Sequence, residues 1–184
     1  MKKIILYTIV LISISIVSCT KNNPSNNSSI TVKSLNLSAT AVYDVNNDYY
    51  YGSISNIPIT GTSDDKLDIM IYKDIDTDLR INANSNQEIA VDASTTPKKY
   101  KIFTSGAEIS STSTGWQGDV ANFTTGSIVA GSGDKYVGIR VKFSDNTTHY
   151  GWMLINYASN GLTVTLKEVA YNNVANESIK AGQK

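Results

Sequence analysis

Cysteine and histidine are almost missing from this chain: each occurs once, as Cys19 and His149. A single cysteine excludes a disulfide framework within the chain, and together with a single histidine it excludes a Cys/His zinc cluster. An excess of charge of either sign is also absent. Sixteen basic and sixteen acidic side chains give a formal net charge of zero, so there is no basic field to hold nucleic acid. Charged residues make up only 17% of the chain, below the roughly 25% usual in soluble domains; Ser, Thr and Asn carry the polarity instead. Proline occurs three times and glycine twelve times, too seldom for a collagen-like or low-complexity chain. The abundance of Tyr, Ile and Val excludes disorder. The length, 184 residues, suits one ordinary domain.

The one long apolar run lies at the start. Met1-Lys2-Lys3 is cationic, and Ile4 to Val17 is mostly apolar. Fourteen residues at a helical rise of about 1.5 Å reach only about 21 Å, short of a hydrocarbon core of roughly 30 Å. The segment therefore reads as the apolar region of a signal peptide over residues 1–18 rather than as a permanent span. Ile16-Val17-Ser18-Cys19 resembles a bacterial lipobox, in which Cys19 is acylated and becomes the mature N-terminus. The variants here are Ile at the first position and Ser directly before the cysteine. Several acyl chains would anchor the protein stably, where one chain holds only marginally. Thr20 follows in place of the Asp that often retains lipoproteins in the inner membrane, so the expected location is the outer membrane, facing either the periplasm or the exterior. Lys21 to Ser29 then has no apolar residue except Pro24, and residues 19–29 read as a lipid-anchored, flexible tether.

From residue 30 to 184 the period is two, and helical spacing is nearly absent. Strands are expected near Ile30–Tyr43, Tyr49–Ser55, Lys66–Lys73, Asp78–Asn82, Glu88–Asp92, Lys99–Thr104, Lys135–Phe143, Thr148–Tyr157 and Leu162–Tyr171, with short strands and long loops between Gly106 and Gly133. Val137, Ile139, Val141 and Phe143 alternate with Tyr136, Gly138, Arg140 and Lys142, which predicts one buried and one wet face. A tight two-residue turn at Asp145-Asn146 would pair Val141 with Tyr150, Ile139 with Trp152 and Val137 with Leu154, placing all of them in one interior, and would pair Lys142 with His149 and Arg140 with Gly151 on the wet face. A second hairpin at Ser159-Asn160-Gly161, with Gly161 left-handed, would set Leu166 across from Leu154. The apolar phase then jumps from Leu166 to Val169, which predicts a β-bulge near Lys167-Glu168. The expected fold is all-β: a single antiparallel, jelly-roll-like β-sandwich that ends in a three-strand meander.

The run Lys135-Tyr136-Val137-Gly138-Ile139-Arg140-Val141-Lys142-Phe143, followed by His149-Tyr150-Gly151-Trp152, then Leu162 to Glu168, Ala170-Tyr171 and Ile179-Lys180-Ala181-Gly182, resembles the C-terminal signature of a widespread group of secreted bacterial β-sandwich domains. The resemblance implies the sandwich fold. The group's activity is uncharacterised, so the resemblance brings no catalytic residue with it.

Two acidic loops are candidate Ca²⁺ sites. Asp44, Asn46 and Asp48, and again Asp74, Asp76 and Asp78, place oxygen ligands at alternate positions, and Asp64, Asp65 and Asp68 could join them. Neither loop has the glycine and distal glutamate of an EF-hand; the rival reading is turn chemistry. Ca²⁺ is thus the candidate cofactor, and no other cofactor is implied. Tyr49, Tyr51 and Trp116 are candidates for stacking on a glycan, against the rival reading of ordinary strand aromatics. His149 has no second histidine or cysteine to join it and reads as a surface residue. No catalytic residue is identified. There is no G-x-S-x-G elbow, and Gly131 to Lys135 reads as a turn before a strand, not a phosphate loop. Glu88, Glu108, Glu168 and Glu177 are the carboxylates from which a glycosidase pair would have to come. The expectation is an envelope lipoprotein bearing a non-catalytic binding or structural module, with a carbohydrate-binding module and a glycoside-active enzyme as alternatives. Its partners would be the membrane, through Cys19, and a glycan or envelope protein, in an unknown oligomeric state.

Overall fold

The computed structural model describes residues 29–46, 49–58, 66–67, 69–73, 79–83, 86–96, 98–112, 115–118, 128–143 and 145–184. Among them there is no helix. The first eight strands are β1 (Ile30–Thr40), β2 (Val42–Asp44), β3 (Tyr49–Ile54), β4 (Ile57–Pro58), β5 (Lys66–Leu67), β6 (Ile69–Lys73), β7 (Leu79–Ala83) and β8 (Gln87–Asp92). The next eight are β9 (Lys99–Tyr100), β10 (Ile102–Phe103), β11 (Glu108–Ile109), β12 (Gly115–Gln117), β13 (Asp134–Lys142), β14 (Thr148–Tyr157), β15 (Thr163–Asn172) and β16 (Ile179–Lys180). Every strand expected from the period of two is present. The run from Ile30 to Tyr43 is interrupted at Ala41, and that from Lys99 to Thr104 at Lys101.

All pairing is antiparallel. The large sheet runs β1-β15-β14-β13-β8-β12, with β10 beside β13 and β9 beside β8. A second sheet runs β2-β3-β6-β7, and β11-β16 and β4-β5 form two short ribbons. β13, β14 and β15 form the meander that the sequence predicts.

Two apolar cores lie on opposite faces of the large sheet. In the first, Val137, Ile139, Met153, Ile155, Val164, Leu166 and Val169 meet Ile54, Ile69, Ile71, Leu79 and Ile81 of the second sheet, which makes the molecule a β-sandwich. In the second, Ala90, Tyr150, Trp152 and Ala170 pack with Phe103, Ile109, Ile179 and Ala181, so that the β11-β16 ribbon and its flanks form a further layer.

The expected register of the first hairpin is therefore wrong by one residue. Ile139 pairs with Gly151, Gly138 with Trp152, Arg140 with Tyr150, Val141 with His149 and Lys142 with Thr148. The connection holds three residues between Phe143 and Thr147, not two. The Phe143 N–H donates to Thr147 O at 2.9 Å, and the Asn146 N–H to Phe143 O at 3.0 Å. Asn146 takes a left-handed φ of 65°, as the last residue of such a loop does, and Asp145 Oδ1 accepts from the Thr147 amide and hydroxyl at 2.9 and 2.6 Å. One added residue moves every side chain to the other face. Val137 and Ile139 thus share a core with Met153 and Ile155, while Tyr150, Trp152 and Leu154 pack on the opposite side. The face expected to be wet is covered, and Arg140 lies half-buried within it.

The second hairpin keeps its left-handed Gly161, at φ 65°, but its loop is one residue longer than expected. Ala158 pairs with Thr163, and Leu166 faces Ile155, not Leu154. The expected bulge is present: Leu154 pairs with Glu168 and Ile155 with Leu166, leaving Lys167 as the extra residue. β1 answers with its own irregularity, setting Leu35 and Asn36 opposite Lys167, with Asn36 at φ 50°.

Small residues let these layers approach. A Cβ added to Gly151 would sit 2.5 Å from the Ala170 carbonyl oxygen, and one added to Gly138 would sit 2.9 Å from Ala90 Cβ. Gly151→Ala is expected to destabilise the domain by about 1–3 kcal/mol through overpacking. Trp152→Ala, at a site with no solvent exposure, should cost about 3–5 kcal/mol. Denaturant titration followed by circular dichroism measures both. A change of under about 0.5 kcal/mol for either, the range of ordinary surface substitutions, would contradict the two-core packing.

Candidate functional site

The β8–β13 pairing sets Arg140 opposite Glu88, and the β8–β12 pairing sets Trp116 opposite Ala90, all on the face of the second core. The Arg140 Nε donates to Glu88 Oε2, and Lys142 Nζ lies 2.9 Å from the same oxygen. The Arg140 guanidinium carbon stands 4.7 Å from the centre of the Trp116 ring, a cation–π distance. Trp116 in turn lies 5.7 Å from Tyr150 at an interplanar angle of 50°. Burial works to raise the Glu88 pKa, but the hydrogen bonds and charges of Arg140 and Lys142 outweigh it and hold the carboxyl below its ordinary value.

A second constellation gathers where the bulges of β1 and β15 align. A cleft of about 280 Å³ opens there, lined by Ser34, Asn36, Tyr136, Leu154, Lys167, Glu168 and Lys184. Glu168 Oε1 accepts from Lys184 Nζ at 2.8 Å and from the Ser34 hydroxyl at 3.3 Å. Lys167 Nζ donates to Asp134 Oδ2 at 2.8 Å, and Asn156 Nδ2 to Asp134 Oδ1 at 2.7 Å. The hydrogen bond from Lys167 lowers the Asp134 pKa. The charged groups of the cleft are thus matched to one another.

Several candidates from the sequence fall elsewhere. Cys19, Asp48, Asp64, Asp65, Asp68, Asp74, Asp76 and Asp78 lie outside the described residues. Asp44 Oδ1 accepts the Asn46 amide at 2.9 Å, the Asx-turn geometry of ordinary turn chemistry. Among the described residues, no three His, Cys, Asp or Glu side chains converge as a metal site would require. Tyr49 pairs with Asp44 in the β2-β3 hairpin, and Tyr51 pairs with Val42. Tyr51 is 44% exposed, with its hydroxyl 4.0 Å from Met70 Sδ. Trp116 is half-buried beneath Arg140 and is not a free stacking platform. His149 is half-buried rather than on a wet face; its Nδ1 lies 2.8 Å from Asn172 O, and its ring meets Phe143 edge-on at 5.0 Å.

Glu88 and Glu168 lie three strand spacings apart across β8, β13, β14 and β15, about 14 Å at about 4.8 Å per strand. This exceeds the separation a glycosidase pair needs. The residues that the sequence reading missed are Arg140, assigned to a solvated face, and Asn36, Lys167 and Lys184 of the cleft. The phase jump after Leu166 marked the β15 bulge, but nothing in the local pattern of β1 marked its partner.

The depressed Glu88 pKa gives a pH signature. Its folded pKa lies below the ordinary value of 4.5, so its stabilising contribution is present above that value and fades as pH falls through the folded pKa. In the native protein the melting temperature should drop on acidification below about pH 4.5, and in Glu88→Gln the same step should be smaller. Scanning calorimetry across pH 7 to 3 measures both; equal slopes in the two proteins would remove Glu88 from the account.

No protein-family model, curated protein or solved structure matches this chain.

Proposed function

We propose that the protein is a cell-envelope lipoprotein, acylated at Cys19 and held at the outer membrane by residues 19–29, whose β-sandwich acts as a non-catalytic binding or structural module. The observation that carries this reading is the placement of exposed apolar side chains relative to the tether. The tether ends at Ser29, whose carbonyl accepts the Asn173 amide at 2.6 Å beside the start of β1. β1 runs eleven residues away from that point, about 36 Å at about 3.3 Å per residue. At its far end Ala41 donates to Leu162 O, and the β2-β3 hairpin then presents Val42, Tyr43, Val45 and Tyr51, which are 68%, 42%, 77% and 44% exposed. Exposed apolar side chains gathered on one hairpin, rather than scattered singly, point to an interaction site. Here they sit on the end that points away from an anchor at Ser29, which is where a displayed module meets an envelope protein.

The carboxylates argue in the same direction. Glu88 is held ionised by Arg140 and Lys142, and a carboxyl with a lowered pKa is a poor proton donor near neutral pH. A glycan is the second ligand class, favoured by the exposed Tyr51 ring. However, Val42 pairs with Tyr51 and Tyr43 with Tyr50, so Tyr43 and Tyr51 lie on opposite faces of the hairpin and do not form one flat strip.

Two measurements test the proposal. Mass spectrometry of the purified full-length protein should show an acylated Cys19, and Cys19→Ala should shift the protein from the membrane to the soluble fraction. A crosslinker placed at Val45 should capture an envelope protein that Val42→Asp/Tyr51→Asp no longer captures. Retention of Cys19→Ala in the membrane would overturn the anchor, and capture indifferent to the double substitution would overturn the binding surface. A glycan array on the same two proteins decides for the sugar if binding requires Tyr51.

A further inference from the structure

At the tether end the structure presents a second, smaller apolar surface. Phe143 is 49% exposed and Val174 is 46% exposed. Both are held rather than dangling. The Phe143 amide and carbonyl are bonded across the Phe143–Thr147 loop, and its ring rests edge-on against His149 at 5.0 Å and 78°. His149 Nδ1 is 2.8 Å from Asn172 O. The Val174 amide donates to Asn172 Oδ1 at 2.9 Å, and Asn172 Nδ2 to Ser178 O at 2.8 Å. Asn176 is pinned to the start of β14 by its amide on Thr148 O, at 2.7 Å, and by Oδ1 accepting the Thr148 amide, at 3.0 Å. A ring contact and hydrogen bonds thus link Phe143, through half-buried His149 and buried Asn172, to Val174, at the same end of the strands at which Ser29 is bonded to Asn173.

We infer that this end of the sandwich rests on the bilayer that holds Cys19, with Phe143 and Val174 seated at the lipid interface. The inference rests on the lipoprotein reading and deepens it by giving the domain an orientation. The short chain between Cys19 and Ser29, and the point at which it enters the sandwich, set this orientation. Ten residue steps separate Cys19 from Ser29, and in any conformation they span at most about 36 Å. An acyl anchor therefore confines this end near the membrane and raises the local concentration of lipid around it, as any short linker does for a second, weaker contact. A weak apolar contact that would not hold a free domain then suffices to orient a tethered one. The rim of the patch is polar, as a head-group region requires: Thr31 and Asn173 bond one another at the surface, and Asn146 and Glu177 are exposed. Held this way, the domain directs the β2-β3 hairpin away from the lipid.

The test uses the full-length acylated protein, in which a thioether-linked Cys19 leaves no other thiol. An environment-sensitive fluorophore is attached at Glu177→Cys, on the tether end, or at Ser159→Cys, in the loop at the far end. The protein is reconstituted on phosphatidylethanolamine/phosphatidylglycerol vesicles with and without brominated lipid. The expected result is a blue shift and bromine quenching at position 177 only, both lost in Phe143→Asp and in Val174→Asp while the circular dichroism melt stays cooperative. Should either substitution unfold the domain, the comparison of positions 177 and 159 in the otherwise native protein still decides. Equal quenching at both positions, or none at 177 in a protein whose Cys19 is acylated, would overturn the inference. So would protection of position 177 that depends on protein concentration, which would assign the patch to a second copy. An unacylated Cys19 would instead overturn the anchoring itself.

Discussion

The constraint on which the rest depends is the burial of β14 on both faces. Trp152 and Met153 are neighbours in sequence, point in opposite directions, and neither has solvent exposure. A strand in this position needs a packed layer above and below it. The four-stranded sheet supplies one, and the β11-β16 ribbon with Phe103 and Ala181 supplies the other. It also needs neighbours thin enough to let those layers close, which is why Gly138 and Ala170 pair with Trp152 and Ala90 lies against Gly138. Two apolar cores sharing one sheet leave the central strands almost no tolerance for slippage, because a shift of one residue would exchange the contents of the two cores.

This two-sided burial explains what was legible in the sequence and what was not. Strand positions and the all-β class follow from the period of two and from the Asn, Asp and Gly punctuation, and these hold along the described chain. The bulge at Lys167 was visible because Val164, Leu166 and Val169 break phase while still seeking one core. The register of β13 against β14 was not legible. When both faces are apolar, either register places hydrophobic residues opposite hydrophobic residues, and the pattern loses its power to choose. The decision then passes to the loop, where Asn146 adopts a left-handed conformation and adds a third residue. Arg140 was misplaced for the same reason: next to Gly138 it looked like a member of a solvated face, whereas its guanidinium is folded over Trp116 and neutralised by Glu88.

The ion pairs of Glu88, Asp134 and Glu168 tie strands to one another or to the last residue of the chain, and so serve the architecture. Arg140 and Glu88 carry a cation and an anion into a half-buried cross-strand position, and neither would be stable there without the other. Asp134 and Lys167 bind the start of β13 to the bulged residue of β15, across β14. Glu168 and Lys184 fasten the last residue of the chain to the same bulge. The cleft that opens among them is a consequence of two strands each carrying an extra residue at one level. Of the aromatic candidates read from the sequence, Tyr51 is accessible, while Trp116 lies half-buried against Arg140.

What remains for interaction is then decided by elimination on the surface. Packed layers cover both faces of the sheet around β14, and the open part beside β1 is lined by Ser34, Ser38 and Thr40, so large apolar side chains reach solvent chiefly at the two ends of the strands. All of the strongly exposed ones among the described residues lie there. Val42, Tyr43, Val45 and Tyr51 follow the far end of β1, and Val129 lies in the turn that precedes β13 at the same end; Phe143 and Val174 lie at the opposite end, where Ser29 enters β1. A sandwich whose exposed large apolar side chains lie at its tips is polarised along its strands. Under the proposed lipid anchor at Cys19, that polarity would become an orientation relative to the membrane, and the strand length that separates the tips would set how far the distal hairpin stands from the bilayer.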